Sequence, residues 1–293
     1  MKSVLINNLV SNVKLQGFYL CIEKKLRKKK DGLPYIDLLL QDKSGLIRGR
    51  IWDNVHILAK KFDVGNPVVL KGVTYSYGEN LFIKIKNINR ASIDRYKKYG
   101  FVPSDLIPTS KQNVKQLWTQ LQKEIKTISK PHFKKLITKI LSDHKQKFQI
   151  YPASISYHYN YQHGLLEQTV SLMKIARLLA RNYAVDSNLL LTGACLHQIG
   201  KLYSINIGFS ADRNLEKQLI GNAILSRDVV NEYIREIKTF PKEDKIQLEH
   251  LILSYQGRRE WQSPVEPKTI EAVLLHTINY MDSKVNFMSR NEK

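Results

Sequence analysis

The run GACLHQIGKLY, residues 193–203, holds the residues best suited to chemistry. An apolar stretch leads into His197, an imidazole that can ligate a metal or carry a proton near neutral pH. A metal-dependent hydrolase would follow it with a carboxylate, whereas this chain has Gln198, a neutral amide. The pair poses a choice between an unusual active centre and a fold that keeps its shape without one. Rival centres are not evident in the sequence. It has no Walker-type glycine loop, no HExxH, no DEDD-like spacing of carboxylates and no serine nucleophile elbow. Cys21 and Cys195 form no CxxC pair, which argues against a disulfide framework or a structural zinc site and fits a reducing compartment.

The elements that must position these residues are legible in the hydrophobic pattern. GFYLCIEKKL (17–26), LPYIDLLLQD (33–42) and GLIRGRIWD (45–53) read as strands, with KSG (43–45) as a hairpin turn. HILAKKF (56–62) offers a helical turn or two, and NPVVLKGVTYSY (66–77) pairs with NLFIKIKNINRAS (80–92) around Gly78. Five strands with a helical insert after the third is the order of an OB-fold barrel, assigned here to residues 1–91. This segment carries 17 Lys and Arg against 7 Asp and Glu. The run KKLRKKK supplies Lys24, Lys25, Arg27, Lys28, Lys29 and Lys30 at the first hairpin. Arg48, Arg50, Lys84 and Lys86 alternate with rings, of which Tyr35, Tyr75 and Tyr77 are assigned to the surface. Cations that track phosphates and rings that stack bases are what a single-strand groove needs.

Residues 92–110 hold two prolines, a glycine and mixed polar residues, and read as a linker. From 111 to 293 the period becomes helical. KQNVKQLWTQLQKEIKTI (111–128) puts Val114, Leu117, Trp118, Leu121 and Ile125 on one stripe, and Pro131 opens the next segment. Segments 164–183, 187–203, 216–237, 242–257 and 267–288 follow the same pattern. The fold class is therefore α+β multidomain, a five-stranded barrel followed by an all-α domain.

The net charge of +21 attracts polyanions by counterion release, so the expected partner is single-stranded RNA or DNA. No apolar stretch approaches the roughly 20 residues of a membrane span, so no membrane partner is expected and the chain reads as soluble and cytoplasmic.

Several stretches carry a resemblance: GLPYIDLLLQDKSGLIRGRIWD (32–53), FVPSD (101–105), HYNYQHGLLEQTV (158–170), GACLHQIGKL (193–202), QLIGNAILS (218–226) and the segment from Leu248 to Lys284. In these, colinear and nearly end to end, the chain resembles the YhaM-type 3′-to-5′ exoribonucleases, an N-terminal OB-fold followed by an HD-superfamily helical domain. The resemblance implies a site for Mn or Mg whose ligands would fall on Gln168, His197, Gln198, Asn222, Tyr255, Gln256 and Asn279. Only His197 is a ligand of the family's type. Amide oxygens and a phenol leave a dication's charge uncompensated. The expectation is a metal-free domain with no catalytic residue and no cofactor, whose polar replacements hydrogen-bond one another across the cavity. On this reading His250 and His276 face the interior, His158 and His163 are candidates for phosphate contacts, and Asp282 pairs with Lys201. The alternatives are an active exoribonuclease with a rearranged Mn or Mg site and an RNA-associated subunit of a larger assembly. A homo-oligomer or a ribonucleoprotein partner stays open.

Overall fold

The computed structural model describes residues 4–29, 31–154, 157–207, 211–213 and 219–291. The main division of the chain falls after Pro108, between a barrel unit and a helical unit.

In the barrel unit, β1 (Lys14–Lys28), β2 (Pro34–Asp42), β3 (Gly45–Ile51), β4 (Pro67–Tyr77) and β5 (Asn80–Arg90) close in the order β1-β2-β3-β5-β4. The helix α1 (Val55–Ala59) follows β3. β3 and β5 run parallel and the remaining pairs antiparallel, which is the OB-fold arrangement. β1 is longer than the sequence pattern indicates because it serves two neighbours. Its first half pairs with β4 (Leu15↔Gly72) and its second with β2 (Lys25↔Asp37). A bulge between Cys21 and Glu23 redirects it, and such bends are how a sheet curls shut. Alternation buries Tyr19, Leu38, Leu40, Ile51, Leu70 and Ile83 in the barrel. Asp42 fixes the β2–β3 turn by accepting the Ser44 amide at 2.7 Å and, on its other oxygen, the Ile6 amide at 2.7 Å.

The expected linker is a folded strap. It holds α2 (Ile93–Tyr96) and a 3₁₀ turn at Pro103–Leu106. Phe101 and Leu106 pack with Phe18, Leu20, Val69 and Ala91 into a second small core. Two large apolar residues among polar neighbours have an apolar barrel flank to cover, and burial of each contributes about 1.5–3 kcal/mol.

The helical unit comprises α3 (Val114–Lys126), α4 (Pro131–Asp143), α5 (Lys145–Ile150), α6 (Gly164–Leu179), α7 (Ser187–Leu196), α8 (Lys201–Ser204), α9 (Asn222–Arg235), α10 (Lys242–Ser254) and α11 (Ile270–Asn291). Asn113 and Asp186 cap α3 and α7 by accepting the amides two and three residues on. Leu189 through Leu196 are all buried, because α7 is surrounded by α4, α6, α10 and α11.

Two expectations change here. The segment 187–203 is not one helix: α7 ends at Leu196 and the chain turns through His197–Gly200 before α8. Gly200 packs against the start of α9, where a Cβ would lie 2.5 Å from the Ser226 amide nitrogen, and its own amide donates to Ser226 Oγ at 3.0 Å. Only a glycine allows so close an approach. Two three-residue strands, Ile205–Ile207 and Ala211–Arg213, also interrupt the expected all-α run. Among the described residues no helix is long and apolar enough to cross a membrane.

Candidate functional site

The barrel presents the first candidate site on the outer side of β2 and β3. Period-two alternation turns Tyr35 and Asp37 of β2, and Arg48 and Arg50 of β3, away from Ile36, Leu38, Gly49 and Ile51 in the core. Trp52 stacks on Tyr35 at 4.7 Å, and Tyr75 of β4 stacks on Phe82 of β5 at 5.6 Å. The Arg50 guanidinium sits 4.4 Å from the Phe82 ring centre and 5.8 Å from that of Trp52. Lys29 adds an ammonium 5.3 Å over Trp52. Tyr77 is 70% exposed, and Lys25, Arg27, Lys28, Arg48, Lys84 and Lys86 are exposed as well. Lys25 reaches Glu23 at 2.7 Å. Lys30 lies outside the described residues.

Lys24 departs from the expectation. Its ammonium donates to the carbonyls of Ala59 at 2.7 Å and Phe62 at 2.5 Å, just past α1. The strand alternation carries it to the side opposite Lys25 and Arg27, so it braces the α1 turn rather than joining the outer face. Sequence reading also passed over Asp37. This nearly buried carboxylate meets Arg48 at 3.0 Å, Arg27 at 3.5 Å and Arg50 at 3.6 Å.

In the helical unit, three of the residues singled out above are bridged by hydrogen bonds. Asn279 Oδ1, on α11, accepts from Gln168 Nε2 of α6 at 3.3 Å and from Gln198 Nε2 at 3.3 Å. Gln168 Nε2 also donates to Ser283 Oγ at 3.2 Å. The Gln198 carbonyl oxygen accepts from the buried Lys201 ammonium at 2.6 Å, and that ammonium also donates to the Ala153 carbonyl. His197 closes α7 with Nδ1 facing the carbonyls of Gly193 and Ala194 at 3.2 and 3.1 Å. Facing two acceptors, Nδ1 carries the proton and Nε2 keeps a lone pair, which has no hydrogen-bond partner among the described residues. Burial and the Lys201 charge push the imidazole down to about 4, so it is neutral at pH 7. The Tyr255 ring meets it edge-on at 4.8 Å. Asn222 opens α9 and Gln256 follows Tyr255; both are half-buried.

The described acids and histidines nearby are engaged elsewhere or held neutral. Asp282 accepts from Ser171 Oγ at 2.6 Å and Tyr159 OH at 3.3 Å, rather than pairing with Lys201, and burial pushes its carboxyl up. His158 is pushed down to about 3 by burial and by Lys201, so it offers phosphate no positive charge at pH 7. His163 precedes α6 in a left-handed conformation with Nδ1 against the Gln149 carbonyl. His250 Nε2 accepts the Lys268 amide at 2.9 Å, and His276 Nδ1 meets the Tyr255 carbonyl at 3.2 Å. Among the described residues no three His, Cys, Asp or Glu side chains gather as metal ligands. An amide oxygen already accepting twice, a second one facing an ammonium, and one imidazole do not fit Mn or Mg.

Comparison with known proteins agrees with the architecture. The HD domain family matches residues 165–283. The 3'-5' exoribonuclease YhaM of Listeria monocytogenes (serotype 4b, strain CLIP80459) is 29% identical over 262 residues, covering 89% of this chain and 82% of its own. YhaM of Listeria innocua gives the same figures. Among solved structures, the second OB-fold domain of replication protein A from Methanococcus maripaludis is 23% identical with a TM-score of 0.26, covering 31% of this chain and 96% of that one. The priB protein of Ralstonia solanacearum is 14% identical with a TM-score of 0.25, covering 28% of this chain and all of its own. With an OB-fold barrel leading into an HD domain, the chain is similar to the YhaM-type 3′-to-5′ exoribonucleases along most of its length.

Proposed function

We propose that this protein grips single-stranded nucleic acid, RNA before DNA, on the outer face of its barrel and does not hydrolyse it in the helical unit. Support for gripping comes from the Tyr35–Trp52 and Tyr75–Phe82 ring pairs with Arg50 between them and exposed cations around them. Stacked bases and tracked phosphates need that combination. The relative is an exoribonuclease, which favours RNA. The observation that carries the non-hydrolytic half is the amide bridge: Asn279 Oδ1 is spent on Gln168 and Gln198, and Lys201 brings positive charge to the same spot. A dication entering there would meet a fixed cation and, among the described residues, no cluster of carboxylates to balance it.

Fluorescence anisotropy with labelled single-stranded RNA tests the first half. Affinity should fall linearly on a log–log plot as salt rises, because phosphate contacts release counterions. Binding indifferent to salt would count against it. Incubation of 3′-tailed RNA with Mn or Mg, beside an EDTA control, tests the second half. The RNA should stay full length. EDTA-sensitive shortening from the 3′ end would instead establish the competing reading, a working exoribonuclease, which the relatives' shared activity favours.

A further inference from the structure

A buried acid in the middle of a face meant for a polyanion needs a reason. Asp37 sits on β2, directly across from Lys25 on β1 and Arg50 on β3. Arg27 stands across from Tyr35, and Arg48 across from Leu39, so these two are its diagonal neighbours. Long side chains span that diagonal. The result is one carboxylate, 7% exposed, within 4 Å of three guanidiniums drawn from two strands. The arginine side chains remain 51%, 43% and 23% exposed. Each guanidinium has five N–H donors in a planar fork, and one carboxylate engages only a minority of the fifteen or so available. Arg27 and Arg48 thus keep donors in reach of solvent, and Arg50 lies against the Trp52 and Phe82 rings of the two stacks.

We propose that Asp37 is a positioning residue of the nucleic-acid face, gathering Arg27, Arg48 and Arg50 into one preformed phosphate-binding cluster. Three like charges so close would otherwise splay apart, and each would have to be reassembled when a strand arrives. The carboxylate takes a phosphate's place in the free protein and holds the forks in register, which lowers the ordering entropy that binding must overcome. An acidic residue thereby strengthens the binding of an acidic polymer. The inference rests on the barrel-face reading above.

The test is Asp37→Asn in the full chain, which keeps the shape of the side chain and raises the net charge by one. Simple electrostatics predicts tighter binding to a labelled single-stranded RNA and a steeper salt slope. Gathering predicts the reverse. Affinity should drop by roughly fivefold to thirtyfold, and the slope of log K against log salt should shrink by about one, because fewer phosphates are engaged together. Equal or tighter binding by D37N overturns the inference. In an Arg48→Gln background the D37N effect should shrink, since one gathered partner is gone; a full-sized effect there would mark a merely structural role and overturn it too. Should D37N fail to hold a wild-type melting profile, the Nε–H signals of Arg48 and Arg50 in the wild-type chain decide. Resolved, slowly exchanging signals support gathering, and signals averaged to those of free arginine refute it. Wild-type protein that shows no salt-sensitive RNA binding would sink the barrel-face reading itself, a separate failure from D37N matching a wild type that binds.

Discussion

Replacing Asn279 with alanine attacks the point where three helical segments are tied. Its Oδ1 accepts from Gln168 and Gln198 at 3.3 Å each. Without it, Gln198 Nε2 loses the acceptor it has here, while Gln168 Nε2 keeps Ser283 Oγ at 3.2 Å. One newly unsatisfied buried donor costs about 1–3 kcal/mol, and weakening the other bond adds about 0.5–1 kcal/mol. The bonds are long and Asn279 is half-buried, so a total near 2–3 kcal/mol is expected. For a unit of this size that lowers Tm by about 4–12 °C, at ~2–4 °C per kcal/mol. Far-UV circular dichroism during thermal and urea unfolding measures it. Asn279→Asp supplies the control, because its carboxylate oxygen still accepts from both amides. It should fall within about 1 kcal/mol of wild type. An N279A variant within about 0.5 kcal/mol of wild type would refute the idea that the amide bridge holds these helices together.

Gln198→Asp alone should leave 3′-tailed RNA uncut in Mn or Mg, since the other implied positions still lack ligands; measurable turnover would place the site elsewhere. Added Mn or Mg should not raise Tm in a concentration-dependent way, as it would for a site with real affinity for the folded state. Lys24→Met should lower stability by about 1–2 kcal/mol through the orphaned Ala59 and Phe62 carbonyls. It should leave the salt slope of RNA binding unchanged, whereas neutralising Lys25, Arg27, Lys28 and Lys29 together should flatten that slope. Gly257→Ala should cost about 2–4 kcal/mol in a denaturation assay, because φ is +87° there and a Cβ would lie 2.1 Å from the His276 ring.

The barrel was legible because its signals are local. Alternation in 33–42 and 45–53, and the DKSG turn that Asp42 holds, name the strands and their register. The same period sorts the start of the lysine run, since Lys24 and Lys25 on one strand must face opposite ways. Asp37 was invisible for a different reason. One acid in an alternating strand looks like any solvated residue until its cross-strand neighbours prove to be arginines. The break after His197 depends on how closely Gly200 approaches Ser226, a tertiary contact with no local signature. Asp282 could be placed beside Asn279 from helical spacing, but Ser171 and Tyr159, which claim it, come from a helix and a loop far along the chain.

The strap that carries Phe101 and Leu106 has a practical bearing on how this molecule can be taken apart. Sequence composition invites a cut at residue 91, where the last strand ends. Cutting there would uncover Phe18, Leu20 and Val69, leaving the isolated barrel with a greasy flank that invites clumping. A fragment that keeps this flank covered must reach at least Leu106, and what resembles slack between domains is the barrel's own outer coat.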